Sequence, residues 1–473
     1  MSVKDDVVQR IDVGAAEFVR LAADIWEHPE PGFQESRAAG LIASVLEGEG
    51  FRVERDVAGI PNAFVAEWGS GRPVVGVLGE YDALPGLSQK ISATREPAHD
   101  GAPGHACGHN LLGVAGLGAV LGARSAMESS HLAGTIRYYG CPAEETLMGK
   151  VFMARERLFA DLDAVLTWHP MYANTVWSAS SAALNSFKLS FHGVSAHAGA
   201  APEAGRSALD AIMLTDAGVN FLREHIPTNV RMHCVVTHGG EAPNIVPAFA
   251  QSWYYVRAPD RALVTAVYER VLDVARGAAL MTGTRLEVEL VAACHDFLPN
   301  RTIEAILLSN MKQIGPPDFS REDYEFAEAL VKTLPAGMAD DAVKALGRSR
   351  EELGGALCTG VFDSVGGLAA GQAQPVSTDV GDVSHIAPTA QMTACCMPLG
   401  VPLHSWQAVA SCGSPIGHMA MLFAAKSIGL TVVDLLAQPG TLKVAREELA
   451  TLTQGRAYEC PLPPGVNPPR YEA

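Results

Sequence analysis

One repeated pattern constrains the fold of this chain: an apolar stretch of strand length precedes residues that can bind a metal ion. The pattern occurs three times. Asp82 follows the apolar stretch Val74–Gly79, Glu144–Glu145 follow Gly134–Tyr139, and His169 follows Ala164–Thr167. Almost wholly apolar strands are typical of a sheet that is covered on both faces. Such sheets place their sites at the carboxyl ends of the strands. The pattern therefore predicts an α/β fold with a polar site at one sheet edge.

The segment Gly104–Asn110 contributes two further types of metal ligand. Cys107 and His109 lie two residues apart with a glycine between them, and His105 lies just upstream. Borderline-soft divalent metals prefer thiolate and imidazole ligands. Because glycine allows a tight turn, we expect Cys107 and His109 to face one ion.

The length of 473 residues predicts two domains, because a single core rarely grows this large. After Ala183 the sequence alternates in the β-α-β-β-α-β order of a ferredoxin-like unit. We therefore predict an inserted lid or dimerisation domain at 184–297 and a catalytic domain formed by 1–183 and 298–473. The predicted elements of the insert are Ser186–His192, Ser207–Leu222, Val230–Thr237, Phe249–Arg257, Ala262–Met281 and Arg285–Val291.

The net charge and the cysteine content indicate which binding partners and which cellular compartment to expect. The net charge of −17 argues against nucleic acid, which requires clustered lysine and arginine. Nine cysteines without a regular framework suit reduced thiols in an intracellular protein. We find no signal region and expect no apolar run of membrane-spanning length. The sequence predicts a cytoplasmic protein without a nucleic-acid or membrane partner.

Eight motifs together resemble one family, the dinuclear metallo-amidohydrolases related to aminoacylase and carboxypeptidase G. The resemblance covers nearly the whole chain, and it is greatest to the branch of p-aminobenzoyl-glutamate and indole-acetyl-amino-acid hydrolases. The motifs are His28–Phe33, Gly79–Pro85, His105–Asn110, Pro142–Glu145, Trp168–Pro170, Gly193–Ala198, Ser377–Ser384 and Leu403–Gln407. The implied fold is a mixed-sheet, zinc-peptidase-like catalytic domain with an inserted ferredoxin-like α+β domain.

The resemblance implies two divalent metal ions per chain, Zn²⁺ or Mn²⁺. Five ligands are implied: Cys107, His109, Glu145, His169 and His404. It further implies that Glu144 is the catalytic base and that Asp82 supports the metal site. Adjacent carboxylates cannot easily bind one ion together, so Glu145 would bind metal while Glu144 faces the attacking water.

Substrate binding is implied for three residues of the inserted domain: His197, Asn244 and Arg257. In the family, such residues bind the substrate carboxylate or the oxyanion, some of them across the interface of a homodimer. Arg257 suits this role because its planar guanidinium matches a carboxylate with two hydrogen bonds.

For three residues the sequence leaves two roles open, and for a fourth it indicates a structural role. Glu80 stands where many relatives have a histidine ligand, and it is either a spare carboxylate or a weak ligand. Asp379 and Asp382 either support the metal ligands or cap a loop. His385 belongs to no motif, and we expect it to be structural.

The implied activity is metal-dependent hydrolysis of the amide bond in N-acyl or N-aroyl amino acids, such as p-aminobenzoyl-glutamate. Alternative substrates are indole-acetyl-aspartate-type auxin conjugates, other N-acyl amino acids and dipeptides. A different mechanism would use Cys107 as the nucleophile with His109 or His105 as base. A third hypothesis is a catalytically silent, metal-binding partner subunit.

Overall fold

The computed structural model describes residues 3–469, which form two separate sheets flanked by helices. The helices are α1 (Val3–Glu27), α2 (Ser36–Gly48), α3 (His109–Ser130), α4 (Gly149–Arg155), α5 (Ala208–Leu222), α6 (Arg261–Thr282), α7 (Arg301–Ile314), α8 (Arg321–Val331), α9 (Met338–Ala345), α10 (Arg350–Leu353), α11 (Val380–Ser384), α12 (Trp406–Cys412), α13 (Pro415–Ala437) and α14 (Pro439–Leu452). The strands are β1 (Arg52–Arg55), β2 (Phe64–Ser70), β3 (Val74–Glu80), β4 (Gly134–Cys141), β5 (Ala164–Met171), β6 (Asn174–Val176), β7 (Ala183–His192), β8 (Arg231–His238), β9 (Phe249–Ala258), β10 (Arg285–Cys294), β11 (Val361–Phe362) and β12 (Thr389–Cys395).

The larger sheet has eight strands in the order β1-β2-β4-β3-β5-β12-β6-β11. Its four central strands, β4, β3, β5 and β12, run parallel to one another. Every residue of β3 and β12 is buried, as expected for strands covered on both faces. The carboxyl ends of these four strands meet at one edge, where the polar residues of the sequence pattern lie.

Helix α3 packs closely against β3 because glycines face the sheet. A Cβ atom at Gly113 would lie 2.7 Å from the carbonyl oxygen of Glu80, and one at Gly116 would lie 3.3 Å from that of Leu78. A larger side chain at Gly113 would push the helix away from the sheet. The start of α3, at His109, is thereby held at the carboxyl edge of β3.

Helices α3 and α13 are long and apolar enough, by length and composition, to cross a membrane. The expectation that no segment reaches this length was therefore wrong. The apolar window of α3 is 89% buried within the protein and that of α13 is 78% buried, and the two helices pack against each other. Such burial is typical of helices in the core of a globular domain.

The smaller sheet has four antiparallel strands in the order β10-β7-β9-β8, and α5 and α6 pack against it. This order is that of the ferredoxin-like unit, so the predicted fold class is confirmed. The sheet spans 183–294, while the division into domains at 184–297 stays a prediction. Strand β8 forms an edge and presents Val235 and Val236 to solvent.

Candidate metal centre

A tight turn before α3 brings Cys107 and His109 to the carboxyl edge of the large sheet. Gly108, which lies between them, has a φ of +74°, a conformation that favours glycine. A Cβ atom there would also lie 2.8 Å from Cγ of Pro170 and 3.0 Å from Sγ of Cys412. Glycine is therefore required at this position on both conformational and steric grounds.

The structure brings all five predicted ligands together in two groups that share Cys107. One group joins Cys107 to His109 and His169, the other joins it to Glu145 and His404, and within each group the ligand atoms lie within 4.8 Å of one another. Cys107 Sγ lies 3.4 Å from Nε2 of His169, and His404 Nε2 lies 3.3 Å from a carboxylate oxygen of Glu145. Two overlapping ligand groups are the arrangement that a pair of ions requires.

Asp82 orients both groups. Its Oδ1 accepts a hydrogen bond from Nδ1 of His109 at 2.8 Å, and its Oδ2 accepts one from the backbone amide of Glu145, also at 2.8 Å. A carboxylate bound to one imidazole nitrogen leaves the lone pair of the other nitrogen for a metal. Asp82 thus contacts one residue of each group, and its supporting role stays a prediction.

Two buried acceptor atoms of the predicted ligands have no hydrogen-bond partner among the described residues. They are Nε2 of His109 and Oε1 of Glu145. Leaving such atoms buried and unpaired is costly, whereas a divalent cation would satisfy both. The donor set of thiol, imidazole and carboxylate suits zinc and neighbouring transition metals. The residues present therefore fit the implied ions.

His169 lies beside Cys107 with a lowered pKa. Its Nδ1 donates to the carbonyl of Pro170 at 2.9 Å, which leaves Nε2 facing Cys107. Burial, together with the charge of His109, lowers the pKa of His169 to about 4. A neutral imidazole is the form that binds metal.

The Glu144–Glu145 pair lies in a turn flanked by two residues with left-handed backbones, Ala143 at φ +59° and Leu147 at φ +60°. Non-glycine residues seldom adopt this conformation, and such strain is often found at functional sites. The turn places a carboxylate oxygen of Glu144 3.9 Å from Nε2 of His109. Burial and the charges of Glu80 and Asp379 raise the pKa of Glu144 well above its ordinary value.

A buried lysine that the sequence analysis missed lies behind Glu144. Lys150 is fully buried, and its Nζ lies 2.7 Å from Oε1 of Glu80 and 2.6 Å from Oδ1 of Asp379. The second oxygen of Glu80 lies 3.4 Å from Nε2 of His109. Glu80 thus joins the lysine to the metal centre, and Asp379 contacts the lysine rather than a predicted ligand. The one visible hint was a charged residue within an apolar stretch of α4.

Asp382 lies away from the predicted ligands. Its Oδ2 accepts from the backbone amide of His295 at 3.0 Å, and its Oδ1 accepts from the hydroxyl of Tyr458 at 2.8 Å. Its contacts join the segment that leaves β10 to the carboxyl-terminal segment.

A cavity of about 560 Å³ opens onto the metal centre. Its walls include Glu144, Cys107 and His404 of the metal centre together with Tyr255 and Arg257 of the smaller sheet. Arg257 Nη1 donates to the carbonyl of Pro375 at 3.1 Å, while its buried Nε has no partner among the described residues. Arg257 therefore keeps one unpaired N–H donor and also lines the cavity.

His197 and Asn244 lie together on the exposed part of the smaller domain. The backbone amide of Ala198 donates to the carbonyl of Asn244 at 3.0 Å, and both predicted residues are exposed. Neither lines the cavity. Within one chain, only Arg257 of the three predicted substrate-binding residues reaches the site.

The hypothesis that Cys107 is a nucleophile conflicts with its surroundings. Burial and the negative charge of Glu145 raise the pKa of the Cys107 thiol well above its ordinary value. Reactive cysteines depend on a lowered pKa and an electropositive environment. Cys107 is therefore poorly suited to act as a free nucleophile.

The fold and the ligand set define a class of protein: metal-dependent hydrolases with an inserted ferredoxin-like domain. Residues 181–280 match the M20 peptidase dimerisation domain. The chain is 40% identical over 466 residues to one of the subunits of p-aminobenzoyl-glutamate hydrolase from Escherichia coli (strain K12), covering 97% of each chain. The chain belongs to the M20 metallopeptidase-like family, and it is a hydrolase of amide bonds, as the resemblance predicted.

Two further similarities agree with this assignment. The Xaa-Arg dipeptidase of Mus musculus is 29% identical over 463 residues, covering 94% of this chain and 92% of that protein. A dinuclear metal-binding peptidase of the M20 family from Bacillus subtilis has the same fold, with a TM-score of 0.57 and 18% identity. That match covers 90% of this chain and 99% of the Bacillus chain.

Proposed function

We propose that this protein hydrolyses the amide bond between an aromatic acyl group and an acidic amino acid, as in p-aminobenzoyl-glutamate. Two divalent ions, Zn²⁺ or Mn²⁺, would be held by Cys107, His109, Glu145, His169 and His404. The observation that carries the proposal is the shared cavity, in which Arg257 and aromatic rings face the same space as Glu144.

The lining of the cavity supports this substrate class. Trp177 and Tyr255 offer aromatic surface for an aroyl group. Among the described residues that line the cavity, Arg257 is the only arginine or lysine, and the only carboxylates belong to Glu80, Glu144 and Glu145 at the metal centre. An arginine side chain, as in Xaa-Arg dipeptides, would find no separate carboxylate there. The charges therefore favour a substrate that carries carboxylates.

The chain's own groups provide the proton transfers. When bound, divalent ions in such a site acidify a water molecule and polarise the carbonyl that it attacks. Glu144 accepts the proton of this water as the new C–O bond forms, and delivers it to the amide nitrogen as the C–N bond breaks. Asp82 holds His109 and the backbone of Glu145 in place throughout.

We further propose a homodimer in which each lid completes the site of its partner. His197 and Asn244 lie away from the cavity of their own chain, and edge strand β8 offers exposed Val235 and Val236 for pairing. An unpaired apolar edge is a natural pairing surface. The same-chain Arg257 and the partner's His197 would then contact one substrate.

The test is release of glutamate from p-aminobenzoyl-glutamate by purified, metal-loaded protein, compared with Glu144→Gln. We expect release by the wild type and a loss of about 10²–10⁴-fold in the variant. Both proteins should retain the same number of ions, because Glu144 is not a proposed ligand.

Equal activity in the two proteins would contradict the role of Glu144. The Escherichia coli relative is one subunit of its hydrolase, so a partner of another sequence is a specific alternative. An absence of release by the metal-loaded chain alone, with activity restored by a second kind of subunit, would assign this chain the silent-partner role instead.

A further inference from the structure

A second group of metal-ligand residues lies outside the catalytic cavity, where the smaller domain rejoins the large sheet. It consists of His295 and Asp296, directly after β10, and of His385, directly after α11. One ligand atom from each lies within 4.8 Å of the other two. Neither the family resemblance nor the proposed amidase reaction uses these three residues.

The hydrogen bonds of His295 leave one nitrogen open. Its Nε2 lies 3.0 Å from the carbonyl oxygen of Glu459, and a carbonyl can only accept, so Nε2 carries the proton. Nδ1 therefore has the lone pair, and it is buried without a partner among the described residues. The residue is only 9% exposed, and this nitrogen itself is buried. An imidazole that donates one N–H to a carbonyl is typical of a metal ligand.

The other two residues lie beside the ring of His295. Nε2 of His385 donates to the carbonyl oxygen of Asp296 at 3.1 Å and lies 3.7 Å from its carboxylate, so the lone pair of His385 is on Nδ1, as in His295. The rings of His295 and His385 have centroids 4.4 Å apart. Oδ1 of Asp296 accepts from the backbone amide of Arg261 at 3.2 Å. This bond fixes the carboxylate while its Oδ2 faces the histidine.

We propose that His295, Asp296 and His385 bind a third divalent transition-metal ion, with zinc as the representative. Two imidazoles and one carboxylate suit zinc, whereas magnesium and calcium prefer a shell made wholly of oxygen. Three protein ligands leave a position for water. His295 also lines a cavity of about 750 Å³, together with Cys460 and Arg261.

The ion would join two segments that are distant in sequence, the exit of β10 and the end of α11. Asp382 of α11 already binds the backbone of His295 and the hydroxyl of Tyr458. Helix α11 follows Asp379, which contacts Lys150 behind the catalytic centre. The third ion would therefore fix the exit of the smaller domain to the helix that borders the active site.

The test is a zinc count by equilibrium dialysis at low micromolar free zinc on folded, full-length protein. We expect His385→Ala to hold about one zinc ion fewer per chain than the wild type. The matched control is His99→Ala, an exposed histidine beside a different cavity, and it should hold the wild-type number. His385→Gln gives a second, less disruptive variant, and circular dichroism checks that each one folds.

Anomalous diffraction at the zinc edge supplies a readout independent of the count. A peak between His295, Asp296 and His385 is expected in the wild type and should be absent in His385→Ala. Equal zinc counts in the two proteins, or no peak at this position, would overturn the proposal. Because both measurements report zinc at this one site, they test the proposal whether or not the protein has the proposed amidase activity.

Discussion

Lys150 carries a charge into the protein interior, where it lies between Glu80 and Asp379. Removing one partner of a buried ion pair leaves the others uncompensated, at a cost of about 3–5 kcal/mol. We therefore expect Lys150→Met to lower the free energy of unfolding by about this amount. Urea unfolding of the metal-loaded protein measures the change.

The control is Lys443→Met, because the side chain of Lys443 is 80% exposed. Its substitution should leave the urea midpoint nearly unchanged, since exposed ion pairs contribute little. Adding Asp379→Asn to Lys150→Met should restore part of the stability by removing one of the unpaired charges. Equal urea midpoints for Lys150→Met and Lys443→Met would contradict the prediction, because they would mean that the contacts of Lys150 with Glu80 and Asp379 do not stabilise the fold.

Among single residues, short motifs predicted the grouping of the proposed ligands better than they predicted the residues that surround them. Cys107, Glu145 and His169 stand in short motifs with recognisable spacing, and the structure brings them together. Lys150 stands in no motif. Its partners, Glu80 of β3 and Asp379 before α11, are distant from it in the sequence. A charge is paired by three-dimensional proximity, and one sequence does not reveal which distant carboxylates approach it.

Helix α4 begins at Gly149, where the chain has no room for a side chain. A Cβ atom there would lie 1.7 Å from the carbonyl oxygen of Pro142, in the turn that carries Glu144 and Glu145. We expect Gly149→Ala to displace this turn, weaken metal binding and destabilise the fold by about 1–3 kcal/mol. Metal retention after dialysis and urea unfolding measure the two effects.

Gly277 of α6 provides the matched control, because a Cβ atom there would meet nothing within 4 Å. Gly277→Ala should stabilise the protein by about 0.5–1 kcal/mol, since alanine favours the helix interior. Its metal content should not change. Loss of metal in both variants would show that the effect does not arise in the turn.

Among the elements, the strands with continuous apolar sequence were predicted and the central strand β12 was not. Its residues are all buried, yet the sequence Thr-Ala-Gln-Met-Thr-Ala-Cys mixes polar and small side chains. The hydroxyl of Thr393 donates a hydrogen bond to the carbonyl of Ala173, so this polar side chain can be buried at little cost. Hydrophobic patterning cannot reveal a strand whose polar groups are paired by neighbours more than two hundred residues away.

For the whole molecule, the exposed position of His197 predicts complementation between chains. His197→Ala and Glu144→Gln should each be inactive alone. In a mixed dimer, the His197→Ala chain keeps its own Glu144 and receives His197 from its partner. Random reassociation of equal amounts should recover about a quarter of wild-type activity per chain.

The measurement is glutamate release before and after the two variants are coexpressed or exchanged. Mixing each variant with itself is the control and should recover nothing. Activity that stays at the sum of the two parents would mean that His197 does not act across an interface.

The order of β5, β12 and β6 in the large sheet also bears on biosynthesis. Strands β5 and β6 follow each other in the chain, yet β12 lies between them. Translation runs from the amino terminus, so the ribosome releases β5 and β6 long before their common neighbour. His404, the last proposed ligand, follows β12. Nascent chains are therefore expected to acquire their full metal complement only near the end of translation.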